Sequence, residues 1–219
     1  QCTVPTPNAD FVGIAAGSLH SLGVKSSGNV EAWGSNHAGQ CDIPAPNAGF
    51  SSVAAGASHS QGLKSDGTVV AVGYNSIGQC DVGEWTGIIQ VAASWSHTVG
   101  LKSDGTVRAA GLCMAGQCDV DSWTDIIQVS AGWIHTIGLK SNGTVITAGC
   151  GGWNYGQCDV SDWKLIVTDK SLFYTPVMPC RIADTRKSGG MIGASTERDF
   201  HLFGDRSTIN AQGGNSAGC

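Results

Sequence analysis

Short apolar segments alternate with glycine-containing turns from residue 11 to residue 163. In one stretch, residues 88–93, 97–102 and 106–110 are short and rich in β-branched side chains and alanine, which predicts three strands. Between the second and the third, Ser103-Asp104-Gly105 predicts a hairpin turn, because glycine takes a positive φ at little steric cost. No window shows a sustained helical period of apolar residues. The pattern therefore predicts an all-β protein.

The three-strand pattern belongs to a repeat of 38 to 40 residues that occurs four times. Each copy contains the tetrapeptide Gly-Gln-Cys-Asp, and each contains one histidine in register: His20, His59, His97 and His135. Repeats of this length, with three or four short antiparallel strands each, are typical of propeller blades. We therefore expect an N-terminal arm at 1–10, four propeller repeats at 11–163 and a small β-rich segment at 164–219.

The repeat resembles that of the regulator of chromosome condensation family of β-propellers. The resemblance rests on Val-Ala-Ala-Gly-x-x-His-Ser/Thr-x-Gly-Leu-Lys-x-Asp-Gly-Thr-Val, followed by Gly-x-Asn-x-x-Gly-Gln, and covers residues 11–163. Family members close a ring with about seven blades, whereas this chain has four repeats. Either four blades close with unusual geometry, or an open arc exposes a blade that invites another chain to cover it.

The best-known activities of that family are guanine-nucleotide exchange and chromatin binding. This chain has 12 basic and 17 acidic side chains, a formal net charge of -5 and no tail rich in lysine or arginine. The electrostatic footprint of a nucleic-acid-binding protein is therefore missing, and we expect no nucleic-acid partner. The loops on which exchange depends in the family have no match here. The resemblance therefore implies the fold and neither activity.

The composition favours a secreted protein. Nine cysteines, only 13% charged residues and a first residue other than methionine, Gln1, are typical of mature extracellular chains. No apolar run approaches the roughly 18 residues of a membrane span, so we expect no membrane insertion. Residues 179–186, Pro-Cys-Arg-Ile-Ala-Asp-Thr-Arg, resemble a motif near the C-terminal ends of secreted and surface proteins of bacteria. We expect an extracellular or cell-surface location.

Three interpretations remain for the segment at 164–219. It packs on the propeller, it packs on a neighbouring subunit, or it is a domain cut short. The segment is rich in glycine and small for an independent core.

The cysteines fall into groups. The resemblance implies small core side chains at one equivalent position per repeat, where the family places a buried leucine: Cys41, Cys80, Cys118 and Cys158. Cys113 and Cys150 follow equivalent glycines in neighbouring repeats, so we expect a bridge between repeats three and four. Cys180 and Cys219 bracket the last segment and are expected to close it as a loop. Cys2 is then left over for an intermolecular bridge.

The histidines and two of the tryptophans have regular positions. The resemblance implies that the four repeated histidines are structural, each tying one strand to the next. No Cys-x-x-Cys and no His-x-x-x-His occurs, so we expect no metal and no cofactor. Trp95 and Trp133 each lie two residues before a repeated histidine, towards a rim or channel. They are where we would expect any aromatic ligand platform to lie.

Catalytic motifs are missing from the sequence. It contains no Gly-x-Ser-x-Gly, phosphate-binding loop, dinucleotide fingerprint or His-Glu-x-x-His, so we expect no enzyme and assign no catalytic residue. The favoured hypothesis is a secreted structural protein that binds itself or another surface subunit in a surface layer, pilus-like fibre or appendage. The alternative is a secreted binding module whose rim loops recognise a glycan or a protein ligand.

Overall fold

A computed structural model describes residues 4–161 and 163 of the 219-residue chain. Its strands are β1 (Phe11–Ala16), β2 (His20–Lys25), β3 (Val30–Gly34), β4 (Phe50–Ala55), β5 (His59–Lys64), β6 (Val69–Gly73), β7 (Ile88–Ala93), β8 (His97–Lys102), β9 (Val107–Gly111), β10 (Ile126–Ala131), β11 (His135–Lys140) and β12 (Val145–Gly149). A short 3-10 turn follows at Gly151–Trp153. Over this part of the chain, no helix is long and apolar enough to cross a membrane. The expected all-β class is confirmed.

The strands form four antiparallel sheets of three strands each, and each sheet is one repeat. We number these blades one to four along the chain. In blade three the last strand is Val107–Gly111, one residue later than the sequence predicted. The segment expected at 164–219, with Cys180 and Cys219, and the residue Cys2 lie outside the described residues.

A side chain of the repeat holds the turn between the second and third strands of a blade. In blade three, Asp104 Oδ1 accepts hydrogen bonds from the backbone N–H of Thr106 at 3.0 Å and from its hydroxyl at 2.6 Å. Gly105, between them, has a φ of 80°, which strains most other residues. The same two bonds recur in blades two and four, between Asp66 and Thr68 and between Asn142 and Thr144. The repeated Asp/Asn-Gly-Thr sequence therefore encodes this turn.

A β-bulge interrupts the start of the first strand in every blade. The second residue of the strand is the extra one, and its side chain is exposed by 66% at Val12, 57% at Ile89 and 44% at Ile127. Ile89 belongs to blade three, which has a blade on each side. The bulge position therefore faces solvent even where a blade is covered on both faces.

The hydrophobic core lies between blades. Val99, Leu101 and Val107 of blade three pack with Ile126 and Val129 of blade four, and all five are at most 3% exposed. Equivalent positions build the other two cores, with Leu63, Val69, Ile88 and Val91 between blades two and three, and Leu22, Val24, Val30 and Phe50 between blades one and two. The blades therefore stack in chain order, and each covers one face of the next. We call this stack of four blades the arc.

An aromatic ring lies against a glycine in the middle strand of each blade. A Cβ atom on Gly138 would lie 2.7 Å from the ring of Trp123, and one on Gly100 would lie 2.7 Å from the ring of Trp85. Phe11 and Phe50 take this place over Gly23 and Gly62 in blades one and two. The repeated glycine three residues after each histidine is needed for this close approach.

The loop after the third strand explains the position of the repeated cysteines. In blade two, the side-chain oxygen of Asn75 accepts the backbone N–H of Cys80 at 2.8 Å, and its amide donates to Asp81 at 2.9 Å. The thiol of Cys80 donates to a backbone carbonyl of the same loop, as does that of Cys41 in blade one. Both cysteines are partly buried loop residues outside the interblade cores, so the expectation of core side chains there is wrong.

Two disulfides each close a loop within one blade. Cys113 pairs with Cys118 and Cys150 with Cys158, with Cα atoms 5.2 Å and 6.4 Å apart. The expected bridge between Cys113 and Cys150 is therefore wrong, and so is the expectation of core thiols at Cys118 and Cys158. The repeated cysteine turns back towards the start of its own loop. There Cys113 replaces the loop asparagine and Cys150 follows Gly149, so each finds its partner in the same blade.

We predict that Cys113→Asn costs less stability than Cys113→Ser. Both substitutions remove the bridge, which stabilises the fold by about 2 kcal/mol in the chain-entropy model. Asparagine regains the loop hydrogen bonds that Asn75 makes in blade two, which contribute about 1 kcal/mol. Urea unfolding without reductant measures both free energies. Equal destabilisation by the two variants would show that Cys113 does not stand in for the loop asparagine.

Candidate functional site

A chain of three hydrogen-bonding groups crosses the junction between neighbouring blades. At the first junction, Nε2 of His20 lies 2.9 Å from Oγ of Ser60, which donates to the backbone carbonyl of Gln40 at 2.6 Å. His20 and Gln40 belong to blade one, and Ser60 belongs to blade two. We call this set of three groups the junction relay.

The junction relay recurs at the other two junctions. Its members are His59, Thr98 and Gln79 at the second junction, and His97, Thr136 and Gln117 at the third. The imidazole and hydroxyl groups are 3.2 Å and 3.0 Å apart, and the hydroxyl and carbonyl groups 2.6 Å and 2.7 Å apart. All nine members are at most 2% exposed.

The relay histidines are neutral at neutral pH. Each relay hydroxyl donates its proton to a glutamine carbonyl, so its oxygen accepts and the imidazole donates from Nε2. Burial lowers the pKa of His59 and of His97 to about 4, and neighbouring histidines add to the shift. Burial also lowers the pKa of His20 and of His135. The relay is therefore an uncharged joint that fixes how one blade sits on the next.

The outer blades carry relay members without counterparts. His135 and Gln157 of blade four stand at the positions of His97 and Gln117 in blade three, and Ser21 of blade one stands at the position of Ser60 in blade two. Within residues 4–161, no hydrogen bond involves the side chain of His135 or of Ser21. His135, Gln157 and Ser21 are also only partly buried. The relay is incomplete at both ends of the arc.

The apolar parts of the same two faces are more exposed than their equivalents inside the arc. Ile14 of blade one is 75% exposed, whereas the equivalent Val91 and Val129 are 9% and 3% exposed. On blade four, Ile137 and Leu139 are partly buried, although the equivalent side chains of blade three are fully buried. Each outer blade therefore presents a face with the composition of a blade junction.

We name these two surfaces by their place in the arc. The first face, on blade one, consists of Phe11, Ile14, Ala16 and Ser21, and the last face, on blade four, consists of His135, Ile137, Leu139, Val145 and Gln157. None of these residues is ionised at neutral pH. The Lys25 ammonium lies beside the first face, 5.2 Å from the ring centroid of Phe11, as the Lys64 ammonium lies 5.4 Å from Phe50 at the first junction. Each can bury apolar surface against a protein, and each supplies half of a junction relay.

Trp95 and Trp133, where any aromatic platform was expected, lie on one rim of the arc. The ring centroids of Trp95 and Trp133 are 6.1 Å apart, with the rings edge to face, so the structure brings these two predicted residues together. Trp153 extends the row, 6.2 Å from Trp133. All three side chains are between 55% and 57% exposed. We call them the tryptophan row.

Sequence reasoning did not place Trp153 in this row. The residue lies in a loop of blade four that is two residues longer than in the other blades, so it has no equivalent in the repeat. The disulfide between Cys150 and Cys158 spans this loop, and the Gln157 amide donates to the Trp153 carbonyl at 2.6 Å. The extra residues are therefore fixed in place.

The rim around the tryptophan row carries no ionised side chain. Segments 94–97, 112–117, 132–135 and 150–157 contain no aspartate, glutamate, lysine or arginine. A ligand at this rim would be held by stacking and by hydrogen bonds, which favours an uncharged one. No group of His, Cys, Asp or Glu in the described part of the chain is arranged to hold a metal ion.

Sequence reasoning also missed the relay hydroxyls. A signal was present, because a serine or threonine follows each repeated histidine in all four copies. The hydroxyl does not serve its own histidine, however. It bonds to the histidine of the preceding blade, 40 residues away in the case of His20 and Ser60. The pairing depends on how the blades stack, so the spacing within one repeat does not predict it.

The repeats match a known family. The regulator of chromosome condensation (RCC1) repeat matches residues 11–40, 50–79, 88–112 and 126–157, which are the four blades. No curated protein matches this sequence.

Solved structures with similar folds include that of Prp20p from Saccharomyces cerevisiae, described with its binding to Gsp1p and histones, at 19% identity and a TM-score of 0.55, covering 64% of this chain and 45% of that one. Yeast RCC1 (Prp20) bound by Kap60 matches at 22% identity and a TM-score of 0.57, covering 68% of this chain and 46% of that one. The CRINKLY WD40 ectodomain of the Arabidopsis thaliana receptor kinase ACR4 matches at 20% identity and a TM-score of 0.53. The match covers 63% of this chain and 50% of that one. This chain therefore spans about half the length of these structures, which share its fold.

We predict that Thr136→Val lowers the free energy of unfolding by about 2–4 kcal/mol, since each stranded buried group costs roughly 1–3 kcal/mol. The variant keeps the shape of the side chain and removes the hydroxyl that joins His97 to Gln117. Its matched control is Ser21→Ala, which removes the equivalent hydroxyl where no relay exists and should cost less than about 0.5 kcal/mol. Urea unfolding of dilute protein compares the two. Similar losses would show that the relay contributes nothing specific.

Proposed function

Because this chain belongs to the regulator of chromosome condensation (RCC1) repeat family, we propose that it is a protein-binding propeller module that serves as a secreted subunit of an extracellular assembly. One observation carries the proposal: the first and last faces have the composition of a blade junction but are less buried than the equivalent positions inside the arc. Covering them with protein would remove apolar surface from water, and this drives most protein association.

The structural neighbours support a protein as partner. Prp20p is described with its binding to Gsp1p and histones, and yeast RCC1 with bound Kap60. The net charge of -5 disfavours a nucleic acid as the partner of this chain. The proposed partner is a further copy of the chain or another surface subunit, and the proposed role is binding without catalysis.

Cysteine chemistry supports the extracellular location. Two disulfides close single loops, and such structural bridges persist mainly in oxidising compartments. The segment at 179–186, which resembles a motif of secreted and surface proteins of bacteria, favours the same location. A surface layer, a pilus-like fibre or an appendage is the kind of assembly that we propose.

We predict that the native mass rises above the 22.4 kDa of one chain with increasing concentration, and that Ile14→Glu abolishes the rise. Burying a carboxylate in an apolar interface costs several kcal/mol, so association should weaken by at least ~100-fold. Light scattering on protein purified without reductant, over a wide concentration range, measures the mass.

The matched control for that experiment is Val12→Glu. It adds the same charge to the same strand, two residues away, at the bulge position that stays exposed in a covered blade such as blade three. It should therefore leave association unchanged. A wild-type chain that remains monomeric at every concentration would contradict self-assembly, and equal effects of the two variants would contradict the assignment to the first face.

The tryptophan row favours a second candidate function, recognition of a glycan or protein ligand at the rim. Blades one and two carry Ser18 and Ala57 where Trp95 and Trp133 stand, so the aromatic rim is confined to blades three and four. Since blades one and two fold without a tryptophan at this position, the fold does not require the tryptophans of blades three and four. Three exposed rings on a fixed and uncharged rim can stack on the apolar faces of neutral sugar rings.

We predict that Trp133→Ala weakens binding to a neutral polysaccharide by about fivefold to tenfold, since one stacked ring contributes about 1 kcal/mol. Affinity electrophoresis through gels that contain a neutral galactomannan or a soluble cellulose ether measures the retardation. Trp163→Ala is the matched control, because Trp163 is 56% exposed but makes no ring contact with the row. Unretarded wild-type protein would exclude these glycans, and equal loss in both variants would exclude the row.

A further inference from the structure

The two incomplete ends of the junction relay are complementary. The last face offers an imidazole, at His135, and a backbone carbonyl, at Gln157, and it lacks the hydroxyl that should bridge them. The first face offers a hydroxyl, at Ser21, and lacks an imidazole and a carbonyl to receive it. Ser60, which has the same side chain as Ser21, makes both bonds at the first junction. A serine is therefore sufficient to complete a relay.

The apolar groups of the two faces are also those of a junction. Phe11 of the first face corresponds to Phe50, which is 5% exposed in the core between blades one and two. Ile14 corresponds to Val129, and Ile137 corresponds to Val99, and these two valines belong to one core between blades three and four. These three apolar side chains therefore have counterparts in junctions within the arc.

On these grounds we propose that the last face of one copy binds the first face of a second copy, head to tail, in a fourth blade junction. Ser21 of the second copy accepts a hydrogen bond from His135 Nε2 and donates one to the carbonyl of Gln157. Ile14 of the second copy is buried against Ile137. This inference rests on the proposed assembly function and names its partner, its polarity and its register.

The proposed contact joins two different surfaces. Each copy has one first face and one last face, so a bound pair keeps one free surface of each kind until the assembly closes on itself. If the rotation between blades closes the ring, two copies form one closed propeller of eight blades. If it does not, the copies extend into a fibre. Head-to-tail polarity is common to both outcomes.

Mixing two disabled variants tests the polarity. Ile14→Glu disables the first face, and Ile137→Glu disables the last face at a position where blade two carries the polar Gln61, so a polar side chain fits the blade. Each variant alone should remain at 22.4 kDa. An equimolar mixture should form a pair of twice that mass and nothing larger, since only one intact junction can form. Light scattering measures all three samples.

Alternative arrangements give different results. If Ile137→Glu alone still associates, first faces bind each other, and the head-to-tail inference fails although the assembly function stands. If Ile14→Glu alone still associates, last faces bind each other. If both variants are monomeric and the mixture is too, the inference is also overturned. A wild-type chain that never associates removes the assembly function as well.

Two further variants complete the test: one replaces Ile137→Glu if that variant is unstable, and the other tests the register of the junction. His135→Ala disables the last face without adding a charge, so it replaces Ile137→Glu if that variant unfolds at a lower urea concentration than the wild type. Ser21→Ala reports on the relay, because it should leave the unfolding of dilute monomer unchanged and weaken association by about fivefold to tenfold, as expected for one or two lost hydrogen bonds. Unchanged association in Ser21→Ala would overturn the proposed register.

Discussion

The junction between blades is the contact on which the rest of the structure depends. A sheet of three short strands has two faces and no interior, so it can bury apolar side chains only against another sheet. In blade three, Val91 is 9% exposed and Val99 is fully buried because blades two and four cover opposite faces. The order of the blades, the burial of the relay histidines and the exposure of Ile14 at the end of the arc all follow from this requirement.

Apolar packing alone defines the relative position of two neighbouring blades only weakly. The junction relay adds direction, because a shifted blade would strand a buried imidazole and a buried carbonyl, at roughly 1–3 kcal/mol each. The relay uses neutral groups, since burial holds the pKa of His59 and of His97 at about 4. An uncharged polar joint thus selects one register without the larger desolvation cost of a buried ion pair.

Features of the fold that depend on neighbouring residues could be predicted from the sequence. Features that depend on the path of a loop could not. Asp104 and Gly105 specify a turn through their nearest neighbours, so strands and repeats were predictable. Trp95 and Trp133 keep a fixed spacing from a repeated histidine, and their common rim was predictable for that reason. The pairing of Cys113 depends on how its loop folds back, and Trp153 lies in an insertion that breaks the register. Neither was visible in the spacing.

The four blades differ at the rim more than at the relay positions. The rim position that holds Ser18 in blade one holds a tryptophan in blades three and four. The relay positions vary little, since every repeat carries the histidine, a serine or threonine after it, and the glutamine. Blade one is instructive in this respect: its outer face keeps Ile14 and Ser21, the residue types of a covered junction. An isoleucine that is 75% exposed adds almost nothing to the stability of the arc, which supports the proposal that another protein covers this face.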